Sequence, residues 1–552
     1  MSANDPFGLT PNNAAADRNV VPIDSIQAVT VSTSPFDSRL SGFTGAAVNA
    51  TTKSGTNEFS GSVYYIYRDQ RLVRKNLETH TGNIIEVPDF KEKTMGFTLG
   101  GPIIENRLFF FLAYERVRED NNPPALNAAG PQALYAPGEF ARITAQAANL
   151  GFQVGEEVEP QNRLEDDNIL IKLDWEINQN HRLSVRYNDV ESARPVFSGY
   201  GGNNFSFDSH WYSQEIENTS YIAQLFSTWT DDFSTEVAVS YSEYFSAPVF
   251  DRRSPSVAIF NVPLAASTQT GAVRFGTERS RHFNRLEVDT WTVEIYGTYD
   301  LNDRNTLSFG YQMNRADVFN AFVQDFLGTY EFDSVEAFEA ASAGGWIGRY
   351  RFQFENPGIN PAAEFRETNH GLFVQNAYRP NEALSIIYGA RVDIPRFGDD
   401  PPANPLFEET FGFRSNHTYS GNAVIQPRVG FNLRVNDEGT QQIRGGFGLF
   451  YGQMPRVWMS NSYSNTGSNF SSIDIINNTL QPGDSGYQAG RDPSINPTPA
   501  PSPDPDNQPR LTPDAAAQQV NSMDPDFELP SRWKGTLALR SAHQQPRLLC
   551  RR

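Results

Sequence analysis

Polar and apolar residues alternate one by one in short segments along most of this 552-residue chain. In 169–177, Ile169, Ile171, Leu173, Trp175 and Ile177 fall on one face, while Lys172, Asp174 and Glu176 share the other with Leu170. The next segment repeats the pattern, with Leu183, Val185 and Tyr187 set against Arg182, Ser184, Arg186 and Asn188. Val237, Val239 and Tyr241, then Leu307, Phe309, Tyr311 and Met313, then Val429, Phe431, Leu433 and Val435 form further apolar rows. A period of two places successive side chains on opposite faces of a strand. Segments 288–299, 384–393 and 443–451 follow it with one or two exceptions, whereas 107–116 and 219–229 are apolar on both faces.

The pattern predicts about fourteen strands. They lie near 59–68, 93–103, 107–118, 166–178, 181–193, 212–230, 232–246, 284–300, 304–319, 365–379, 382–394, 424–436, 440–452 and 532–540. After residue 100 the connectors alternate between tight and long. Tight joins run Ile104 to Arg107, Asn178 to Asn180, Asp231 to Asp232, Asn302 to Arg304, Pro380 to Asn381 and Asp437 to Thr440. Between them lie excursions at 119–164, 194–211, 247–282, 320–363, 394–422 and 453–529. Brief turns at one end and extended loops at the other are the asymmetry of outer-membrane β-barrels. A soluble sandwich with one solvated face gives the same alternation. The aromatic-rich apolar face, the length of the segments and the persistent loop asymmetry favour the all-β, antiparallel transmembrane barrel. A one-residue slip would turn Lys172 towards lipid at about 2–4 kcal/mol, so the pattern fixes register.

Composition agrees with that expectation. The longest clearly apolar run, Leu108–Tyr114, is far short of the ~18 residues of a helical membrane span. A mean hydropathy of −0.50 is compatible with a barrel, where only alternate residues meet lipid. The 12% aromatic content finds a place in interface girdles. A net charge of −20 argues against nucleic acid as a partner. The single cysteine, Cys550, excludes disulfide frameworks and cysteine-rich metal sites within the chain. Met1-Ser-Ala-Asn-Asp-Pro6 lacks the basic start and apolar core of a secretory signal, so the barrel reading expects sequence upstream.

The first residues have a different texture. Small and β-branched residues fill Pro22–Val31 and Ser38–Asn57, punctuated by Gly42, Gly45 and Gly55, which predicts a compact β-rich piece with tight turns. Ile23, Ile26, Val29 and Val31, then Gly45, Asn49, Thr52, Lys53, Ser54, Gly55, Thr56 and Asn57, lead into Val63-Tyr-Tyr-Ile-Tyr67. This stretch resembles the end of the plug domain of TonB-dependent outer-membrane receptors and its exit into the first barrel strand. Gly100-Gly-Pro-Ile-Ile104 and Asn106–Phe111 resemble the next turn and strand, and Asp524–Pro530 with Trp533 a late strand entry. The wording is most similar to the Oar-like, OmpA-related subgroup, whose members often carry a carboxypeptidase-regulatory-like domain ahead of the plug. The resemblance spans roughly residues 5–540.

The resemblance implies a division into 1–57, the C-terminal part of a plug; 58–540, a partial barrel with long extracellular loops; and 541–552, an off-pattern tail. Receptors of this kind close 22 strands around a plugged lumen, so about 14 strands imply a chain truncated at both ends. The first half of the plug and its TonB box are not found in the sequence. Ser541–Arg552 breaks the alternation and ends in two arginines, as out-of-frame or truncated sequence would. The resemblance further implies outer-membrane lipid and, for the full-length parent, the TonB complex as partners, in the uptake of a scarce siderophore, glycan or peptide. The rivals are a passive hatch-containing channel and a surface structural or adhesion barrel.

Catalytic signatures fail: the chain contains none of the nucleophile-elbow, Walker or zinc-protease motifs, and its seven histidines are scattered. Neither an enzyme, a cofactor nor a metal is expected. Asp504, Asp506 and Asn507 lie among prolines that depart from calcium-loop spacing, and 501–509 reads as a disordered loop tip. Two loops carry candidate ligand chemistry. Phe197, Tyr200, Phe205, Phe207, Trp211 and Tyr212 are interleaved with Gly and Asn, and Tyr463 and Phe470 with Ser and Asn. Aromatics beside amides and hydroxyls suit stacking on a sugar, peptide or siderophore, and residue by residue anchoring at the outer interface is the favoured reading. Lys53 is expected to bridge plug and wall.

Overall fold

The computed structural model describes residues 4–8, 16, 19–32, 35–73, 76–78, 84–86, 89–265, 267–436, 440–477, 498–510 and 519–541. Among the described residues, fourteen strands form one antiparallel sheet in chain order. They are β1 (Ser60–Asp69), β2 (Phe90–Ile104), β3 (Leu108–Asn121), β4 (Asn162–Asn178), β5 (His181–Val196), β6 (Tyr212–Thr230) and β7 (Phe233–Val249). The sheet continues through β8 (Phe283–Asn302), β9 (Asn305–Val323), β10 (Ala363–Tyr378), β11 (Leu384–Phe397), β12 (Val424–Arg434), β13 (Gln441–Tyr451) and β14 (Ser531–Ser541). Each expected segment coincides with one of these strands.

Burial decides which face is which. On β4, Leu173 and Trp175 stay 39% and 42% exposed, whereas Asn168 and Asp174 on the other face are buried. The same inversion holds on β5, where Val185 is exposed while Ser184, Asn188 and Ser192 are buried. A sandwich in water would bury the apolar row. Here the apolar row faces outward, as a wall in hydrocarbon requires. Outside, aromatic pairs sit directly across from one another, Tyr187 and Tyr221 at 5.2 Å and Tyr241 and Trp291 at 4.7 Å, and Phe447 stacks diagonally on Trp533 at 5.0 Å.

The exceptions to alternation have a physical cause. Leu170, the apolar residue among polar ones on β4, is buried with Phe111 and Ala113 of β3 against Val21 of the N-terminal segment. Apolar residues therefore interrupt the polar face where the interior is filled by protein rather than water. Gly446 and Gly430 serve the same filling on the far side. A Cβ at Gly446 would stand 2.4 Å from the Phe36 ring. Inside the wall, Ile26–Ser32 and Ala47–Thr52 pair as an antiparallel hairpin.

The long excursions fold together rather than apart. Asn204–Ser206, Thr270–Phe275, Ser256–Pro263, Thr329–Phe332, Gly348–Glu355 and Phe470–Asn477 make a six-stranded sheet in that order, with two of its neighbouring pairs parallel. Phe140 and Ile143 of the helix Glu139–Asn149 join Val257, Val273, Phe275, Tyr330, Phe332, Trp346 and Tyr350 in one apolar core. The expected loop tip 501–509 is instead ordered against this core. Tyr330 donates to Gln508 Oε1 at 2.7 Å, Tyr350 donates to the Pro509 carbonyl at 3.0 Å, and Trp346 donates to the Pro499 carbonyl at 2.8 Å. Prolines already restrict the chain, so holding this segment costs little entropy. The tail begins at the last residue of β14; residues 542–552 lie outside the described residues.

Candidate functional site: the seat of the inner hairpin

The polar face of the wall meets a hairpin that needs hydrogen-bond partners, and the two satisfy each other from opposite sides. On the β1–β5 side, Asp24 gathers Lys53 Nζ at 2.7 Å, the Ser62 hydroxyl of β1 and Thr98 Oγ1 of β2 at 3.4 Å. Lys53 first, then Ser62, holds the Asp24 carboxyl below the usual carboxylate range. Glu115 of β3 accepts from Asn19 Nδ2 at 2.9 Å, the Ile23 amide at 3.3 Å and the Tyr64 hydroxyl at 2.6 Å. Lys172 donates to Ser54 Oγ at 2.7 Å, and the Asn168 and Asn188 amides donate to the carbonyls of Asn19 and Val20.

On the β10–β14 side the charges of Arg391, Asp393 and Arg428 are buried. Arg391 and Asp393, both fully buried, form a two-toothed ion pair at 2.8 and 2.9 Å. Asp393 also accepts from Gln426 at 2.6 Å and from Ser41 of the inner segment at 2.8 Å. Arg428 donates to the carbonyls of Asp37 and Leu40 at 2.9 and 2.6 Å, with its guanidinium 4.4 Å from the centre of the Phe450 ring. Gln375 accepts from the Ser38 amide and donates to Asp37 Oδ1, fixing that bend twice. Buried ions cost several kcal/mol of desolvation each, so they persist only where partners saturate them.

A third junction ties residues 4–8 to the mouth. Arg456, 4% exposed, opens the helix Arg456–Ser464, which precedes the loop-sheet strand Phe470–Asn477. It donates to Glu367 Oε2 of β10 at 2.6 Å, Asn314 Oδ1 of β9 at 3.1 Å and the Pro6 carbonyl at 2.6 Å. The Val457 amide donates to the Phe7 carbonyl at 3.2 Å, and the Phe7 ring is buried with Ile216, Tyr244 and Val288. One guanidinium thus touches wall, inner segment and the path to the loop sheet. Two cavities of about 490 and 610 Å³ flank the hairpin, the first beside Asn49, Thr52 and Lys172, the second beside Val31, Phe36 and Arg444.

The sequence-expected residues fall as follows. The Gly45 carbonyl accepts from Lys534 of β14 at 2.6 Å, and Asn49 and Thr52 lie in the second hairpin strand. Lys53 pairs with Asp24 of its own segment, so the bridge to the wall is made by Asp24. At Gly55 a Cβ would stand 2.2 Å from the Phe110 carbonyl oxygen, so the close approach excludes any side chain. Thr56 Oγ1 donates to the Glu58 carbonyl, and Asn57 holds the first tight turn through the Asn106 side chain and amide, both at 2.7 Å.

The aromatic loop requires correction. Phe205 and Phe207, expected to offer faces to a solute, are 1% and 3% exposed in the loop core, where the short strand Asn204–Ser206 and the residue that follows it place them. Phe197 and Tyr200 pack edge-on against Trp211, whose indole donates to Ser206 Oγ at 2.8 Å, and Tyr212 lies under the Arg281 guanidinium. Tyr463 is buried against Phe365 at 4.8 Å, while Phe470 begins the last loop-sheet strand. Arg391, Asp393, Arg428, Arg456, Glu115 and Glu367 were not singled out from sequence. Arg391 and Asp393 share one strand face, opposite Val392 and Ile394, the only signal available.

Comparison with known proteins places this geometry. The model of the outer membrane beta barrel domain family matches residues 51–154 and 144–539. A 117-residue stretch, 19% of this chain and 11% of that protein, is 33% identical to the TonB-dependent transporter Oar of Myxococcus xanthus. Among solved structures, the outer membrane transporter YddB from Escherichia coli has a TM-score of 0.54 at 13% identity, covering 82% of this chain and 54% of that one. The siderophore receptor PirA from Acinetobacter baumannii follows with a TM-score of 0.47 at 13% identity, over 83% and 54% of the two chains. The chain spans about half the length of these solved structures. With apolar residues outward, a polar interior filled by a hairpin and a family match over most of its length, this chain belongs to the outer membrane β-barrel domain family and is a protein of the cell outer membrane.

Proposed function

We propose that this chain is the central part of an Oar-like TonB-dependent receptor that takes up a scarce solute across the outer membrane. In this reading residues 1–57 are the C-terminal part of the plug, and 58–540 are wall and loops. The observation that carries it is the seating of the hairpin. The lumen is filled by a separate segment held through hydrogen bonds to the polar wall, from Asp24 and Glu115 on one side to Arg391, Asp393 and Arg428 on the other. Polar contacts of this kind exchange with water when the segment moves, whereas an apolar seat would have to be exposed. The lumen opens only if that segment is displaced. A ligand shifts such an equilibrium only by its differential affinity for the two states, so uphill uptake needs an external input of work. The TonB complex is the partner that supplies it, and the chain itself performs no catalysis.

The test is uptake by cells making the full-length parent, supplied with labelled siderophore, oligosaccharide or peptide, with the proton gradient intact or collapsed by an uncoupler. Energy-dependent accumulation of one class is expected. Equal entry with and without the gradient would instead favour the passive channel, and binding with no entry the adhesion reading.

A further inference from the structure

The loop core reaches the surface beside a cavity of about 540 Å³ outside the lumen. Leu126, Ala128 and Tyr200, all half-buried edges of that core, form its apolar side, with the buried Phe205 beneath. Pro123, Pro124, Pro131 and Pro160 line the remainder together with Ala125, Ala129, Gly130 and Val158. Proline has no N–H, so these four positions add no backbone donor to the lining. The carboxylates of Glu157 and Glu159, both exposed, stand at the rim. Glu157 accepts from Gln132 Nε2 at 2.9 Å. Glu157, Glu159 and Tyr200 line the same cavity, and burial first, then Glu159 and Glu157, raises the Tyr200 phenol above its ordinary pKa. The cavity is therefore negative at the rim and apolar and aromatic on one wall, with four lining positions that offer no N–H.

We propose that this cavity binds the basic side chain of a peptide, with the cation between Glu157, Glu159 and the Tyr200 ring and the peptide's apolar portion on Leu126 and Ala128. A donor-rich cation satisfies the acceptors, and a cation over an aromatic face gains further attraction. The apolar edge asks for more than a bare amine, because it rewards a ligand with a non-polar body beside its charge. This assignment deepens the uptake reading and names peptides as its solute class.

The test is fluorescence polarisation with a labelled, capped Pro-Arg-Pro-Arg peptide on the full chain in detergent, alongside Pro-Gln-Pro-Gln, Pro-Glu-Pro-Glu and spermidine as competitor. The basic peptide is expected to bind, and the neutral and acidic ones to bind at least about tenfold more weakly, as loss of a charge-assisted bond implies. Glu157→Gln with Glu159→Gln should weaken binding by a similar factor, Tyr200→Leu by less, and the distant Glu409→Gln not at all. The two Glu substitutions are on exposed side chains, so failure to fold is not at issue. Equal binding of all three peptides, or no effect of the double substitution, overturns the proposal. Spermidine competing as tightly as the peptide overturns the peptide assignment. Failure here leaves energised uptake to be measured in cells, so the two readings fall separately.

Discussion

The wall and the loop domain solve the same problem in opposite ways. On the wall, polar side chains are buried and Leu173, Val185, Trp291 and Leu372 are exposed. In the loop domain, Phe332, Val257, Val273 and Tyr330 are fully buried and charges such as Glu157 and Arg253 lie outside. The two differ in surroundings: hydrocarbon outside the wall, water around the loops. The loop domain therefore depends on burial of its apolar core, and the wall on strand-to-strand pairing of its backbone hydrogen bonds.

The largest effect that would separate them is Phe332→Ala. Removing a buried aromatic costs about 3–5 kcal/mol. Amide exchange should rise across the six-stranded sheet and leave β4–β9 protected. Exchange spreading equally into the wall would mean the regions unfold as one.

Acid should act on the same side of the comparison. His210 Nδ1 faces the Gly276 carbonyl at 2.7 Å, so it carries the proton. His282 accepts from the Leu327 amide through Nδ1 and donates to the Thr277 carbonyl through Nε2. A proton on Nδ1 would confront the Leu327 N–H. Burial pushes both imidazoles down to about 4. Because these folded values lie below the unfolded ~6.5, the unfolded chain takes up protons first. Stability present above pH ~6.5 is then lost towards pH 4, on the order of 3 kcal/mol per group. Tryptophan fluorescence and exchange followed from pH 7.5 to 4 should show the loop sheet loosening first. A loop domain equally protected at pH 4.5 and 7.5 would contradict this.

On the wall, Leu173→Arg should cost about 2–4 kcal/mol, seen as a lower urea midpoint for refolding into lipid vesicles, whereas the same change at Glu157 should leave that midpoint unmoved. The smallest effect belongs to Lys53→Ala. Its pair with Asp24 is partly exposed, and such pairs contribute about 1 kcal/mol or less. Trypsin cleavage after Arg39 should quicken slightly, and much less than in Asp393→Ala, which leaves the buried Arg391 charge unpaired.

The wall was legible because alternation is a local record of two different surroundings, one residue apart. Leu170 stood out as a flaw in that record, and it is where Val21 presses on the wall. The loop domain was not legible. Its strands are as short as Asn204–Ser206, and they pair with segments far along the chain, twice in parallel, so no local period marks them. The aromatics at 197–212 were noticed for their chemistry, yet for Phe205 and Phe207 the same apolar surface serves the core. The hairpin's exit was legible at Gly55 and Asn57, where backbone approach and a turn dictate the residue. The Arg391–Asp393 seat was not, because a charged pair on a polar face looks like any solvated pair.

Site-directed spin labelling of residues 169–177 in lipid vesicles tests the central claim most directly. Labels at Ile171, Leu173 and Trp175 should be relaxed by oxygen dissolved in the bilayer, and labels at Lys172, Asp174 and Glu176 should not. Relaxation by a water-soluble nickel complex at the three odd positions, with oxygen favouring the even ones, would contradict a wall that turns its apolar face to lipid.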